Sequence, residues 1–222
     1  MKRHRLFHLS LLLAALAWCS RHEAAADSWA AAQVKEGFST SRDHFVRIIP
    51  GESLGDTVGF AGEGKGKFAR AEFYHRGQDS SYRLAARATL SNPIAPVEFF
   101  VSDDGRLATL DNWHNLGYGK VVSLYDSKGQ PLRAYELSDL FQADEISAFQ
   151  HSVSSIHWRK GPAYIRQDQK TLLMTIKSGG DFLFGLETGL YKYCEYHETI
   201  YRCRNRNQPR QWLPNDQLPL FR

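Results

Sequence analysis

Ser102-Asp-Asp-Gly-Arg-Leu-Ala-Thr-Leu110, followed after a ten-residue gap by Val121-Val-Ser-Leu-Tyr-Asp-Ser-Lys-Gly129, decides the reading of this 222-residue chain. Asp and Gly in Ser102–Arg106 tolerate the backbone angles of a tight turn. Leu107–Leu110 reads as the strand leaving that turn, and the apolar Val97–Val101 as the strand entering it. Val121–Tyr125 is the next strand, Ser127–Gln130 the next turn and Leu132–Leu137 the strand after it. Strand, polar turn and strand in close succession specify antiparallel hairpins.

Working outward, the same rhythm holds. Upstream, Phe45–Ile49 and Phe68–His75 read as strands, and Arg76–Ser81 as a turn. In Tyr82–Leu90 the residues Tyr82, Leu84, Ala86, Ala88 and Leu90 fall on one face at a period of two. Downstream, Ser152–Trp158, Leu172–Ile176, Phe182–Leu186 and Leu190–Cys194 read as strands. Two segments break the pattern. Ser138–Gln150 carries Leu140, Phe141, Ile146 and Phe149 at the spacing of a short amphipathic helix, with Ser138 as N-cap. Asp27–Glu36 reads as a short capped helix or a frayed terminus. The tail from about 205 is irregular.

The layout repeats. Asp104–Leu110 and Val121–Gly129 are echoed by Asp168-Gln-Lys-Thr-Leu-Leu-Met-Thr-Ile176 and Phe182-Leu-Phe-Gly-Leu-Glu-Thr-Gly189, at an offset of 64 residues at the first landmark and 60 at the last. Ser102-Asp-Asp-Gly-Arg106 and Asp126-Ser-Lys-Gly129 resemble the turns within a blade of bacterial exported β-propeller-like repeat proteins. That resemblance covers about a third of the mature chain. It implies blades of ~40–45 residues, of which about four would fit. The expected fold is mainly β, with antiparallel hairpins in a propeller-like or sandwich arrangement and one or two short helices.

The first 26 residues say where the protein works. Lys2, Arg3 and Arg5 precede the apolar Leu6–Trp18, and Ala24-Ala25-Ala26 offers a cleavage site before Asp27. This order is that of a secretory signal peptide, too short to span a bilayer. The expected mature protein, residues 27–222, is a single periplasmic or extracellular domain without a transmembrane segment. Cleavage removes four basic residues and one acidic one. The 28 basic and 24 acidic groups of the full chain become 24 and 23. A net charge of +1 gives no electrostatic case for a nucleic-acid partner. Cys19 leaves with the leader, and the bulky Trp18 before it argues against a lipid anchor. Cys194 and Cys203 remain. In an oxidising compartment they should pair, the alternatives being free thiols or metal ligands.

Candidate sites are few. Gly59-Phe-Ala-Gly-Glu-Gly-Lys-Gly66 comes close to a P-loop but has Gly66 where Mg²⁺ binding needs Ser or Thr. It reads as a glycine loop. Leu110–Gly119 crowds Asp111, Asn112, Trp113, His114 and Tyr118 between two strands, and loops on rigid sheets carry function. Trp113 and Tyr118 form a candidate platform for a sugar or peptide, with Asp111 and Asn112 as hydrogen-bond partners. The plain structural reading is a long hairpin loop folded on its own aromatics. Asp111, His114, His151 and His157 are the alternative, a metal or acid–base site. There is no HExxH and no Gly-x-Ser-x-Gly elbow, and no cofactor is implied. Arg202, Arg204, Arg206 and Arg210 form a basic tail that reads as solvated. The function expected is a non-enzymatic binding or scaffolding module of the envelope or extracellular space, its ligand or envelope partner unknown. The alternative is a metal-assisted hydrolase.

Overall fold

A computed structural model describes residues 30–52, 66–197 and 200–204 of the chain. The leader with Cys19, most of the glycine-rich stretch and the tail from Asn205 lie outside the described residues. Strand follows strand by the shortest route. The first sheet is β1 (Lys35–Phe38), β2 (His44–Ile49), β3 (Arg70–Arg76) and β4 (Tyr82–Thr89). The second is β5 (Pro96–Val101), β6 (Leu107–Asn112), β7 (Val122–Tyr125) and β8 (Pro131–Tyr135). Two helices, α1 (Leu137–Leu140) and α2 (Ala143–Ala148), and a small hairpin of β9 (Gln150–His151) and β10 (Ile156–His157) lead to the third sheet. That sheet is β11 (Tyr164–Ile165), β12 (Thr171–Thr175), β13 (Asp181–Gly185), β14 (Tyr191–His197) and β15 (Ile200–Arg204). Every pairing among the described residues is antiparallel.

One turn design serves six of these junctions. The N–H of the residue three places into the turn bonds the carbonyl of the first residue, as in Gly105 to Ser102 at 2.9 Å and Gly129 to Asp126 at 3.0 Å. The donor residue takes the left-handed conformation that such hairpin loops demand. It is Arg42, Ser80, Gly105, Gly129, Gln169 or Gly179, with φ of 60°, 63°, 82°, 77°, 55° and 94°. Turn carboxylates fix the geometry. Asp126 accepts the N–H groups of Lys128 and Gln130, and Asp168 those of Lys170 and Thr171, all within 3.0 Å. Three of these turns gather at one end of the molecule. The Ser41 N–H donates to Asp103 at 2.7 Å, and Gln169 reaches Thr40 at 3.4 Å.

Side-chain alternation then stacks the sheets in chain order. Val101, Leu107 and Tyr125 of the second sheet face Val46, Ile48, Ala71 and Phe73 of the first. Ala108, Leu110, Val122 and Leu124 turn the other way, toward Leu172, Met174, Phe182 and Phe184 of the third. β6 and β7 are therefore buried along their whole length, as strands covered on both faces must be. Each such aliphatic side chain contributes about 1.5–3 kcal/mol of transfer free energy. The arrangement is a set of antiparallel meanders layered in series rather than a two-sheet sandwich.

Several expectations are corrected in detail. The single helix over Ser138–Gln150 is two. Phe141, extended at φ −134° and ψ 155°, breaks it, because its ring packs edge-on against Phe149, Trp158 and Phe182. The N-caps are Glu136 and Gln142 rather than Ser138, their N–H groups bonded to Asp139 and Glu145 at 2.8 Å. No helix forms over the described part of Asp27–Glu36, where β1 begins at Lys35 instead and pairs with β2. The alternation in β4 fails at a bulge opposite Phe73 and Tyr74, which turns Leu84 outward to 38% exposure. Ser152–Trp158 is a tight hairpin of two-residue strands, not one strand. The last expected strand runs on to His197 and pairs with β15. That register sets Cys194 directly opposite Cys203, Cα atoms 4.0 Å apart, and the two are disulfide-bonded.

Candidate functional site

β6 leaves the turn end of the second sheet and delivers Asp111 to the opposite end. There Asp111 adopts φ 55°, a left-handed conformation that few non-glycine residues take and that Asp tolerates. Its carboxylate points inward and is 1% exposed. Oδ1 accepts the Trp158 indole N–H at 2.9 Å and the Gly117 N–H at 3.1 Å, and Oδ2 accepts the Arg159 Nε–H at 3.0 Å. Burial pushes the Asp111 carboxyl above its usual range, against the downward pull of Arg159, Trp158 and Gly117. Burial also acts to lower the Arg159 guanidinium, but Asp111 and Glu98 outweigh it and hold the group above its ordinary value.

The rest of the loop is fastened from within. Asn92 donates to the Asp111 carbonyl at 3.0 Å and to the Asn112 side chain at 2.8 Å. The Asn112 amide donates in turn to the Tyr118 carbonyl at 2.7 Å. Gly117, at φ 77°, lies so close to β10 that a Cβ there would sit 2.7 Å from Ile156. The Ile156 N–H bonds the Leu116 carbonyl at 2.8 Å. The loop is thus pinned to the segment that carries Trp158 and Arg159.

Beneath this contact lies a cleft of about 150 Å³. Leu116, Ile156 and Trp158 form its apolar wall, and His157, Arg159 and Lys177 its basic side. The Lys177 N–H bonds the Trp158 carbonyl at 3.0 Å, which holds the end of β12 alongside. Arg159 is 10% exposed and donates from Nη2 to Glu98 at 2.8 Å. Among the described residues its Nη1 is buried without a hydrogen-bond partner.

The expected site residues divide. Asp111 and Asn112 are buried and spend their polar atoms on internal bonds, so they anchor the loop. Trp113, His114 and Tyr118 are half-buried. Trp113 lies beneath the Lys35 ammonium, 4.8 Å from its ring centre, with His114 edge-on at 6.5 Å. Tyr118 packs against the central core instead. Burial pushes the His114 imidazole below its usual value. Of His114, His151 and His157, His157 alone lines the cleft. His151 is exposed, with Nε2 3.1 Å from the Ile146 carbonyl. Among the described residues no group of three or more His, Cys, Asp or Glu side chains is placed to hold a metal ion. In the basic tail, Arg204 lies 3.8 Å from Glu195 and over the Tyr193 ring at 5.3 Å. Arg202 is exposed, and Arg206 and Arg210 lie outside the described residues.

Sequence reasoning missed Glu98, Trp158, Arg159 and Lys177. His157-Trp158-Arg159-Lys160 is a local cue, an aromatic flanked by basic residues. Nothing local ties it to an aspartate 48 residues away. No helix among the described residues is long and apolar enough to cross a membrane. No protein-family model matches the chain, and no curated protein matches it. Among solved structures, the chain is similar to the crystal structure of HIRA(644-1017) at 8% identity and a TM-score of 0.26, covering 74% of this chain. It spans 56% of the length of that structure.

Proposed function

We propose that the protein is an exported, non-enzymatic binding module of the cell envelope or extracellular space. Its recognition surface is the Asp111–Tyr118 loop with the cleft beside it. The observation that supports this most is Asp111 itself: a buried carboxylate in a left-handed conformation, holding the loop against Arg159. Local strain of this kind costs about 1–3 kcal/mol and persists where the surroundings over-determine it, often at functional sites. Asp111 and Asn112 stiffen the loop, and Trp113, His114 and Tyr118 shape its surface. The cleft carries a donor-rich basic side and an apolar wall, a lining suited to orienting a small group. The residues that line it include no Ser, Thr or Cys nucleophile, and both Asp111 oxygens are occupied.

The test is a glycan and peptide array probed with wild type, Trp113→Ala and His114→Ala. A ligand held by wild type and lost from Trp113→Ala, with thermal unfolding unchanged, supports the module. Ligands retained by both variants, or none held by wild type, sink it. Export is checked by mass spectrometry of the protein from the periplasm and medium, where the expected N-terminus is Asp27. An intact leader on protein confined to the cytoplasm overturns that part.

A further inference from the structure

We infer that β4, the outer edge of the first sheet, takes up an extended acidic segment of a partner protein as an added strand. This surface is separate from the Asp111–Tyr118 loop, which sits on the second sheet, and the inference does not depend on the reading of that loop.

The edge is open. β4 pairs with β3 on one side, and no strand among the described residues pairs with it on the other. At 8 residues it is the longest strand among the described residues. Just beyond it, the Leu90 N–H bonds the Ala69 carbonyl at 2.8 Å. Antiparallel partners alternate between bonded and non-bonded pairs, so Arg87 and Thr89 aim their N–H and carbonyl groups away from β3. Among the described residues nothing bonds those groups. The side chains add charge to this open ladder. Arg87 is 68% exposed and lies opposite Glu72, which it shares with Arg47. Arg70 and Arg76 are exposed on the same face of β3, and no carboxylate among the described residues lies within ion-pair distance of either. Three guanidinium groups along β3 and β4 thus face one carboxylate. Ala86 and Ala88 turn the other way, half-buried against the core beside Phe73. An added strand with acids at alternate positions and apolar residues between them would set its acids beside the arginines and extend the apolar layer. The edge does not suit a second β4. Two such strands side by side would bring Arg83 and Arg87 of each together, and like charges facing across a sheet are unfavourable. The bulge opposite Phe73 and Tyr74 also spoils the flat register that identical edges need.

The probe is the peptide acetyl-Thr-Glu-Val-Glu-Val-Glu-Thr-amide carrying a fluorophore, titrated into the full chain isolated from expressing cells and followed by anisotropy. The expected result is saturable binding with a Kd below about 1 mM, weakened by added salt and absent when lysine replaces each glutamate of the peptide. Amide exchange at Arg87 and Thr89 should slow in the complex, because their N–H groups gain acceptors. Arg87→Ser alters an exposed side chain and is expected to weaken binding about threefold. Thr89→Pro removes an outward N–H and no bond to β3, and is expected to weaken binding about tenfold. Thermal unfolding checks that this variant folds, and Arg87→Ser decides if it does not. No saturable binding overturns the inference. So does equal binding of the lysine peptide, unchanged exchange at Arg87 and Thr89, or an unchanged affinity in Arg87→Ser. Self-association of the free chain in sedimentation that Arg87→Ser weakens also overturns it, since the edge would then belong to a second copy. Array ligands that depend on Trp113 but leave exchange at Arg87 and Thr89 unchanged concern the loop alone, so either reading can fail without the other.

Discussion

The second and third sheets begin alike and part after two strands. Each opens on an aspartate-braced turn with a left-handed residue, Gly105 in one and Gln169 in the other. Each then sends alternate apolar side chains into the same core, Ala108 and Leu110 of β6 from one side and Leu172 and Met174 of β12 from the other. In the third sheet the chain turns back at once. Ile176–Gly180 closes with an Ile176 N–H to Gly180 carbonyl bond of 3.1 Å. In the second sheet nine residues, 113–121, stand where the third has five, 176–180. Those four extra residues are the drop in repeat offset from 64 to 60. They also supply the loop that lies over Trp158 and Arg159. Identical strand logic thus yields a bare turn in one sheet and a walled cleft in the other, because sheet ends tolerate insertion and buried strands do not.

The largest effect expected from this contrast is at Asp111. Its counterpart across the repeat is Thr175, whose hydroxyl donates to Asp181 at 2.6 Å. Asp111→Ala strands a buried guanidinium and an indole N–H and should cost about 3–5 kcal/mol in urea unfolding. Thr175→Ala loses one hydrogen bond and should cost about 1 kcal/mol. Equal costs would break the comparison. Next in size is the fastening that only the third sheet has. Replacing Cys194 and Cys203 by Ser should lower stability by about 2–3 kcal/mol, and the Trp158 indole resonance should stay where it is. A shifted resonance would mean that the disulfide, whose Cys194 pairs with Asp181 beside the Ile176–Gly180 turn, is coupled to the cleft.

The turns sharpen the contrast further. Gly105→Ala and Gly179→Ala each place a side chain at a left-handed position, for about 1–2 kcal/mol. A Cβ on Gly105 also meets His44 at 2.8 Å, while Gly179 has nothing within 4 Å. Gly105→Ala should therefore be the worse by about 1 kcal/mol in thermal or urea unfolding. The smallest effect is on pH dependence. His114 lies on the loop that the third sheet lacks, and burial holds its imidazole below the usual 6.5. The folded state prefers it neutral. Its contribution is whole above the unfolded value and is lost as pH falls through the lower folded one. His114→Gln should flatten the stability profile on the acid side of neutrality. A variant whose unfolding profile there matches wild type would remove His114 from the account.

The turns and most strands were legible because their chemistry is local. Ser102–Arg106 and Asp126–Gln130 carry their own hydrogen-bonding groups, and alternation in β6 and β7 follows from neighbours two residues apart. What escaped depended on distant partners. Phe141 leaves helical geometry for three rings, two of them from Trp158 and Phe182, far along the chain. Leu84 faces out because β3 imposes a bulge. At the site, the unusual composition of Leu110–Gly119 marks that loop in the sequence. The inward turn of Asp111 depends on Arg159, and no spacing rule links the two.

The serial layering also sets an order in time. Each meander pairs strands that are neighbours in sequence, so each sheet can close soon after its last strand is available. During synthesis the first sheet is complete while Val46, Ile48 and Phe73 still await the second, and that apolar face stays open to water until Leu107 and Tyr125 arrive. The Asp111–Arg159 contact comes later still, once the hairpin after the helices has emerged. A nascent chain arrested between residues 90 and 96 would therefore present a finished but sticky sheet, the interval in which a holding chaperone has most to grip.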